Sequence, residues 1–321
     1  MKILILMPIL NDWVSAAEVL RRIDAAFSPS GDSVSVVLVN DGSSEPQPVG
    51  FGEGPYEKLA EVSCLILKRN VGHQRALAIG LCHISDEIPC DVILVMDSDG
   101  EDEATDAKRL IDRTKLNAKP AVVFAERMKR SESALFKICY WSYRWLHIIL
   151  TGHRIRVGNF SAVPWQLLPG ITIEPMLWNH YAASIIGSRI AVDFVPTNRG
   201  KRIDGKSRLN FSSLVIHGLS ALACYNETIG VRLLMFMGIP LVLALLSILT
   251  ITCVKLFSTL AIPGWASITS ILIAVLLLQM ATLISNFVLQ TIATRSAQPF
   301  LPARDYGWFI QNIIWLHGSK G

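Results

Sequence analysis

Residues 92–106 read VILVMDSDGEDEATD. An apolar run from Val92 to Met96 stops at Asp97, and carboxylates follow at Asp99, Glu101, Asp102, Glu103 and Asp106. Carboxylates at i and i+2, with a third oxygen ligand at i+4, can converge on one divalent cation from a single loop. Hard oxygen donors of this kind suit Mg2+ or Mn2+, which bridges such a loop to a diphosphate. The cation would neutralise a departing diphosphate and act as an electrophilic clamp. Asp97, Asp99 and Glu101 are therefore candidate metal ligands. A calcium loop is excluded, because it needs Gly at its sixth position and Glu at its twelfth. Counted from Asp97, Gly100 comes fourth and Lys108 twelfth.

Two other readings of the loop stay open. A buried strand followed by Asp-x-Asp-Gly is also similar to the nucleophile motif of haloacid-dehalogenase-type hydrolases, with Asp97 attacking phosphorus and Asp99 as general acid. Against it, Glu101 stands where Thr or Val usually follows the Gly, and three strands precede a motif that usually opens its domain. A solvated acidic turn accounts for Asp102, Glu103 and Asp106, which favour the start of the next helix through its dipole. It does not account for Asp97 at the end of a buried strand.

A loop of this kind needs a strand to fix it. Ile3–Met7, Val34–Val39, Ser63–Leu67, Asp91–Met96 and Ala121–Ala125 read as strands. Ser15–Phe27, Gln74–Cys82 and Thr105–Leu116 have helical spacing, and residues 44–57 are a loop rich in Pro, Gly and acid. Alternating strands and helices imply an α/β fold with a doubly wound, mostly parallel sheet. Ligands bind such sheets at the carboxyl ends of the strands. That rim collects Pro8, Asp41, Arg69–Gly72, Asp97 and Glu126-Arg127.

The 321 residues are 51% hydrophobic and 17% charged, with net charge +4, and the charge is uneven. Nearly all acids precede residue 205, and no charged side chain lies between Lys255 and Arg295. Without a dense basic stripe interleaved with aromatics, nucleic acid is not an expected partner. The six cysteines show neither CxxC spacing nor pairing, so zinc and a disulfide framework are not expected. The opening MKILILMPIL is interrupted by Pro8 and Asn11-Asp12 and reads as a first strand rather than a signal peptide. Leu233–Val254 and Ile268–Leu289 are each long enough to cross a bilayer, at about 20 residues per crossing. Arg232 precedes the first, and Arg295 and Arg304 follow the second, which puts both flanks on the cytoplasmic side. The alternative is a hairpin buried in a soluble core. Residues 134–150, ALFKICYWSYRWLHIIL, suit a helix at a membrane interface or an ordinary packed helix. His147, His180 and His217 are read as structural.

Taken in order, the motifs resemble those of the family 2 glycosyltransferases with a GT-A fold, above all the membrane-bound polyprenyl-phosphate glycosyltransferases of the dolichyl-phosphate-mannose-synthase type. They are MPILND, VLVNDGSSE, LKRNVGHQRALAIGL, VMDSDGED, VVFAERMKR and NRGKRIDGKSRLNF. The resemblance covers roughly residues 1–215, and the C-terminal spans fit a subset of the family. It implies a donor site lined by Pro8, Asp12, Asp41, Gly72, His73 and Asp97. Asp97, Asp99 and Arg127 would be catalytic, and Asp97, Asp99 and Glu101 would hold Mg2+ or Mn2+. Arg127, Arg130, Arg202, Lys206 and Ser207 would bind the acceptor or the diphosphate. The implied partners are a nucleotide-sugar donor, a polyprenyl phosphate or other lipid-linked acceptor, and the bilayer, and a homo-oligomer is compatible with it.

The chain departs from the family's pattern at four points. Asn40 replaces the first Asp of D-D-G-S, His73 a common Lys, Glu101 a Gln, and Asn159 an Asp found in many members. Asn159 cannot take a proton from a hydroxyl acceptor, whereas a phosphate monoester is already a nucleophile. The expected arrangement is a catalytic domain over 1–207 and an amphipathic juxtamembrane helix over 208–232. Two spans over 233–294 and a cytosolic tail over 295–321 follow. The expected protein is integral to the inner membrane, with its catalytic domain and both termini cytoplasmic, and it transfers sugar with inversion. A transferase acting on a lipid-linked saccharide hydroxyl, the phosphatase, and a non-catalytic membrane scaffold are the alternatives.

Overall fold

The computed structural model of the protein describes residues 1–28, 31–127, 134–153, 157–198, 200–204, 211–257, 264–296 and 300–318. Arg130, Lys206 and Ser207 lie outside these, and Arg127 is described by its backbone alone. The chain divides into two compact units. Met1–Trp141, Ile155–Cys224 and Phe300–Gly321 form one, and Ser142–Arg154 with Tyr225–Pro299 form the other.

The first unit is built on one sheet. Its strands are β1 (Lys2–Ile9), β2 (Ser33–Asn40), β3 (Leu59–Leu67), β4 (Val92–Val95), β5 (Val122–Arg127), β6 (Val157–Pro164), β7 (Val192–Thr197) and β8 (Ile310–His317). The order is β7-β5-β6-β4-β1-β2-β3-β8. The pairs β1/β2, β1/β4, β2/β3 and β5/β7 are parallel; β4/β6, β5/β6 and β3/β8 are antiparallel. The central strands are apolar throughout because both faces are covered. Along β1, Ile3, Ile5 and Met7 enter one core and Leu4 and Leu6 the other. Helices α1 (Trp13–Phe27) and α3 (Ala104–Leu116) cover the first face with Val19, Leu20, Ile23, Leu110 and Ile111. The other face is covered by α2 (His73–Glu87), with Leu77, Ile79 and Leu81 buried.

The sequence reading places β1 to β5 correctly but starts β3 late and stops α2 early. It misses β6, β7 and β8. The segment read as a cytosolic tail is corrected in part: Ile310–His317 is the edge strand of the catalytic sheet. Ser63, Cys64 and Leu65 of β3 pair with Trp315, Ile314 and Ile313. Its Ile and Trp side chains suit a pleated, half-covered surface.

In the second unit, α4 (Ala134–Thr151) contributes its last turns beside α8 (Asn226–Phe257) and α9 (Trp265–Ser296), which contain the two spans. Arg232 Nη1 donates to the carbonyls of Ile149 (2.7 Å) and Ile148 (3.2 Å), capping α4. In α8 and α9 only 11% and 6% of the most apolar windows are buried, so neither is the core helix of a soluble hairpin. The expected single helix over 208–232 is divided. Between Leu168 and Cys224 the chain forms α5 (Leu168–Thr172), α6 (Tyr181–Gly187) and α7 (Phe211–Ala223). A turn at Cys224-Tyr225 ends α7, and Asn226-Glu227 open α8, where a small polar residue and an acid favour a helix start.

Candidate active site

β4 ends at Val95, and the N–H of Met96 still donates to the carbonyl of Leu6 at 3.1 Å, so Asp97 is the first residue released from the sheet. The loop then curls back on itself. The Asp97 N–H donates to Asp102 Oδ2 (3.0 Å), and Ser98 Oγ donates to the carbonyl of Pro8 (2.9 Å). Asp102 is buried, at 4% exposure, which corrects its reading as a surface charge. Asp106 is also buried and pairs with Arg109. Gly100 sits at φ +83°, and a Cβ there would lie 2.4 Å from Ile203 Cδ1. That contact seats residues 200–204 on the acidic loop, with Ile203 N–H on the Asp99 carbonyl (3.0 Å) and Gly200 N–H on the Glu101 carbonyl (2.9 Å).

Arg202 is thereby carried to the carboxylates. Its Nη1 lies 3.3 Å from Asp99 Oδ2 and its Nη2 3.4 Å from Asp12 Oδ1. Asp12 stands at the N-cap of α1 but makes no capping bond, so its carboxylate serves Arg202 instead. Asp99 Oδ1 accepts the Glu101 N–H at 2.9 Å. Burial, with the negative charges of Asp97 and Glu101, raises the pKa of Asp99 above the ordinary carboxylate value, against the pull of the Glu101 N–H and Arg202.

The neighbouring loops are held by short polar side chains. Asp41, 3% exposed, accepts the N–H groups of Val71 (2.7 Å) and Gly72 (3.0 Å), which fixes the turn before α2. Its pKa is raised by burial despite those bonds and the charge of His73. Gly42, at φ +71°, allows the backbone of Asn70 to approach, since a Cβ would lie 2.5 Å from its nitrogen. Asn40 Oδ1 accepts the Ser43 N–H at 2.9 Å, a turn bond that an amide makes as well as the family's carboxylate would. A cavity of about 400 Å³ opens beside these loops, lined by Asn11, Asp12, Trp13, Glu45, Pro46 and Asp204 among others.

His73 begins α2 and faces Asp97, with Nε2 3.3 Å from Asp97 Oδ1. Burial disfavours charge on the ring, but the carboxylates of Asp97, Asp41 and Asp99 outweigh it and raise its pKa. Three amide contacts orient the ring from behind. The Tyr181 N–H donates to Gln74 Oε1 (2.7 Å), Gln74 Nε2 to Asn159 Oδ1 (3.2 Å), and Asn159 Nδ2 meets His73 Nε2 (2.9 Å). The first bond fixes the Gln74 amide, and that amide fixes Asn159.

The structure thus brings Pro8, Asp12, Asp41, Gly72, His73, Asp97, Asp99 and Arg202 to one rim. Glu101 enters through its backbone. Sequence reasoning missed Asp102, Ser98 and Gln74. The signal for Asp102 was its place in a loop too short to leave the strand end.

Among the described residues no three His, Cys, Asp or Glu side chains stand close enough to hold a metal by themselves. Asp97 and Asp99 still fit a hard divalent ion. They are oxygen donors whose clustered charge already draws in one histidine and one arginine, and Mg2+-type sites complete one or two carboxylates with phosphate and water.

Parallel strands whose carboxyl ends gather an Asp-x-Asp loop, a glycine turn and a buried aspartate define a catalytic domain of the GT-A type. The chain carries a domain that matches the Glycosyl transferase family 2 model, over residues 4–159. It is a glycosyltransferase. It is 26% identical over 243 residues to an undecaprenyl-phosphate 4-deoxy-4-formamido-L-arabinose transferase of Klebsiella pneumoniae, covering 74% of this chain and 71% of that one. The transferase of the same name from an Enterobacter species is 25% identical over 275 residues, covering 83% and 79%. In fold, the chain is similar to glucosyl-3-phosphoglycerate synthase from Mycobacterium tuberculosis in complex with Mn2+, uridine-diphosphate and phosphoglyceric acid. That match has a TM-score of 0.51 and 13% identity, and covers 71% of this chain and 78% of that one. A second mycobacterial crystal structure matches with a TM-score of 0.50 at 15% identity, covering 71% and 75%.

Proposed function

We propose that the protein is a membrane-bound, inverting glycosyltransferase that moves a sugar from a nucleotide-sugar to a polyprenyl phosphate at the cytosolic membrane face. The family 2 domain and the similarity to undecaprenyl-phosphate sugar transferases support the reaction class. The observation that carries the choice of acceptor is Asn159. Its amide is engaged by Gln74 and His73, and an amide cannot take a proton from a hydroxyl. A phosphate monoester needs no such base.

Asp97 and Asp99 would hold Mg2+ or Mn2+, which neutralises the departing diphosphate. The chain's own residues do the rest by position and charge. Asp41 fixes the 71–72 turn beside the donor, and the cavity next to Asp12 has room for a nucleoside. Arg202, resting on Asp12 and Asp99, is a cation within reach of the diphosphate. Arg127, Arg130, Lys206 and Ser207 are further candidates for phosphate. Attack from the face opposite the diphosphate inverts the anomeric carbon.

The chain leaves the catalytic unit at Cys224 and re-enters it at Phe300, so a hairpin of two crossings returns it to the side it left. Arg232 and Arg295 flank the hairpin on that side, which the positive-inside rule makes cytosolic. The exposed Trp141, Trp145, Leu146 and Ile149 of α4 suit a membrane interface.

One observation favours a second reading. The Asp97 carboxylate beside His73 could accept a hydroxyl proton, so transfer to a lipid-linked saccharide is the rival. Membranes containing the protein, a panel of labelled nucleotide-sugars, and undecaprenyl or dolichyl phosphate separate the two. Label from one donor should enter the organic phase only with divalent metal and not with Asp99→Ala. Transfer to saccharide hydroxyls but to no lipid phosphate would overturn the first reading.

A further inference from the structure

The last helix of the catalytic unit before the spans, α7, exposes Val215, Ile216 and Leu219, and between them His217 reaches solvent. The His217 ring packs against His180 with centroids 4.5 Å apart and Nε2 atoms 3.2 Å apart. His180 is the buried N-cap of α6, and its Nδ1 accepts the N–H of Ala183 at 3.3 Å.

These contacts fix where the protons are. A ring nitrogen that accepts a backbone N–H carries no proton, so neutral His180 carries its own on Nε2. That N–H donates to His217 Nε2, and His217 therefore carries its proton on Nδ1. The same logic rejects a metal between the rings. Their spacing would suit one, but His180 would have to lose its Nε2 proton with Nδ1 already bare.

His217 is thus an uncharged donor whose one lone pair is already used, so it can neither act as a base nor carry charge cheaply. Burial and the nearby charge of His73 lower its pKa, against the attraction of Asp97. Bonds lead from the pair toward the site. Tyr181, next after His180, holds Gln74, which holds Asn159 against His73.

We propose that His217 binds the acceptor, donating its Nδ1–H to a non-attacking oxygen of a lipid phosphate monoester. The attacking oxygen forms the bond to the anomeric carbon, and the bond to the diphosphate oxygen breaks with its electron pair. A neutral donor holds the phosphate without drawing off the charge that makes it nucleophilic, and the apolar side chains around it suit the hydrocarbon chain. The proposal rests on the reading of the acceptor as a lipid phosphate.

The test measures KM for undecaprenyl phosphate in the full chain, at saturating concentration of the donor found active in the panel. Asn places an N–H close to the position of Nδ1, and Gln places one close to Nε2. His217→Ala and His217→Gln should raise the acceptor KM about tenfold or more, the loss of roughly one hydrogen bond to an ion. His217→Asn should stay within about threefold, and the donor KM should hold within about twofold in all three as the check on folding. An unchanged acceptor KM in His217→Ala, or equal effects of Asn and Gln, overturns the proposal and leaves the reaction standing. Should His217→Ala not fold, the Asn and Gln variants alone decide. If the wild type transfers only to saccharide hydroxyls, the proposed acceptor and this site fall together.

Discussion

Replacing Asp102 by alanine should damage the site from below. Asp102 is buried and accepts the N–H of Asp97 at 3.0 Å, the bond that turns the chain at the end of β4. Alanine leaves that N–H without its carboxylate, and losing a hydrogen bond to a charged acceptor costs about 1.5–3 kcal/mol. Taking about 2 kcal/mol, a catalytic unit of this size should lose roughly 4–8 °C of melting temperature. The loop also carries Asp97 and Asp99, so Mn2+ affinity and transferase activity should fall further than the stability alone requires. Asp102→Asn keeps an oxygen acceptor of the same shape and should recover most of the melting temperature. The assay compares wild type, Asp102→Ala and Asp102→Asn in one detergent, by thermal melting with and without Mn2+ and by transfer activity. A melting temperature within about 1 °C of wild type for Asp102→Ala, with activity intact, would refute the argument, because the bond would then be contributing far less than a buried charged acceptor does.

The raised pKa of Asp99, caused by burial and its acidic neighbours, gives a pH dependence with a definite sign. The folded, metal-free site holds a proton more tightly than the unfolded chain, so its stability falls as pH rises through a window above the ordinary carboxylate value. Metal binding needs the carboxylate and is lost as pH falls through the same window. Added Mg2+ or Mn2+ should therefore raise the melting temperature above that window and not below it, and Asp99→Asn should remove the difference. Deleting residues 310–321 should strip β8 from β3 and leave Ser63–Leu67 as an open edge. Unpaired edges of this kind template aggregation. Size exclusion in detergent should show loss of monodisperse protein, and a monodisperse, active truncation would contradict the prediction.

The anionic half of the site is written locally. Asp97, Asp99 and Asp41 each stand at or just past the end of an apolar run, and an apolar run ending in a carboxylate at a strand's carboxyl end can be read without knowing its neighbours. The cationic and amide half is not local. Arg202 reaches Asp12 across 190 residues, and Gln74 reaches Asn159 across 85. Their meeting depends on β6 and on the 200–204 segment, neither of which has a periodic signal of its own. β8 is hidden for the same reason, because an isolated run of Ile, Asn and Trp says nothing of the strand it will cover. Asp102 is the instructive case. It is local, yet its reading as surface charge came from counting acids, whereas its burial follows from geometry. A loop that must return to the sheet within a few residues needs an acceptor for the first N–H it releases, and the nearest carboxylate supplies it. Acidic runs at strand ends are thus best read one residue at a time, asking of each carboxylate which backbone donor it could reach before assigning it to metal or to water.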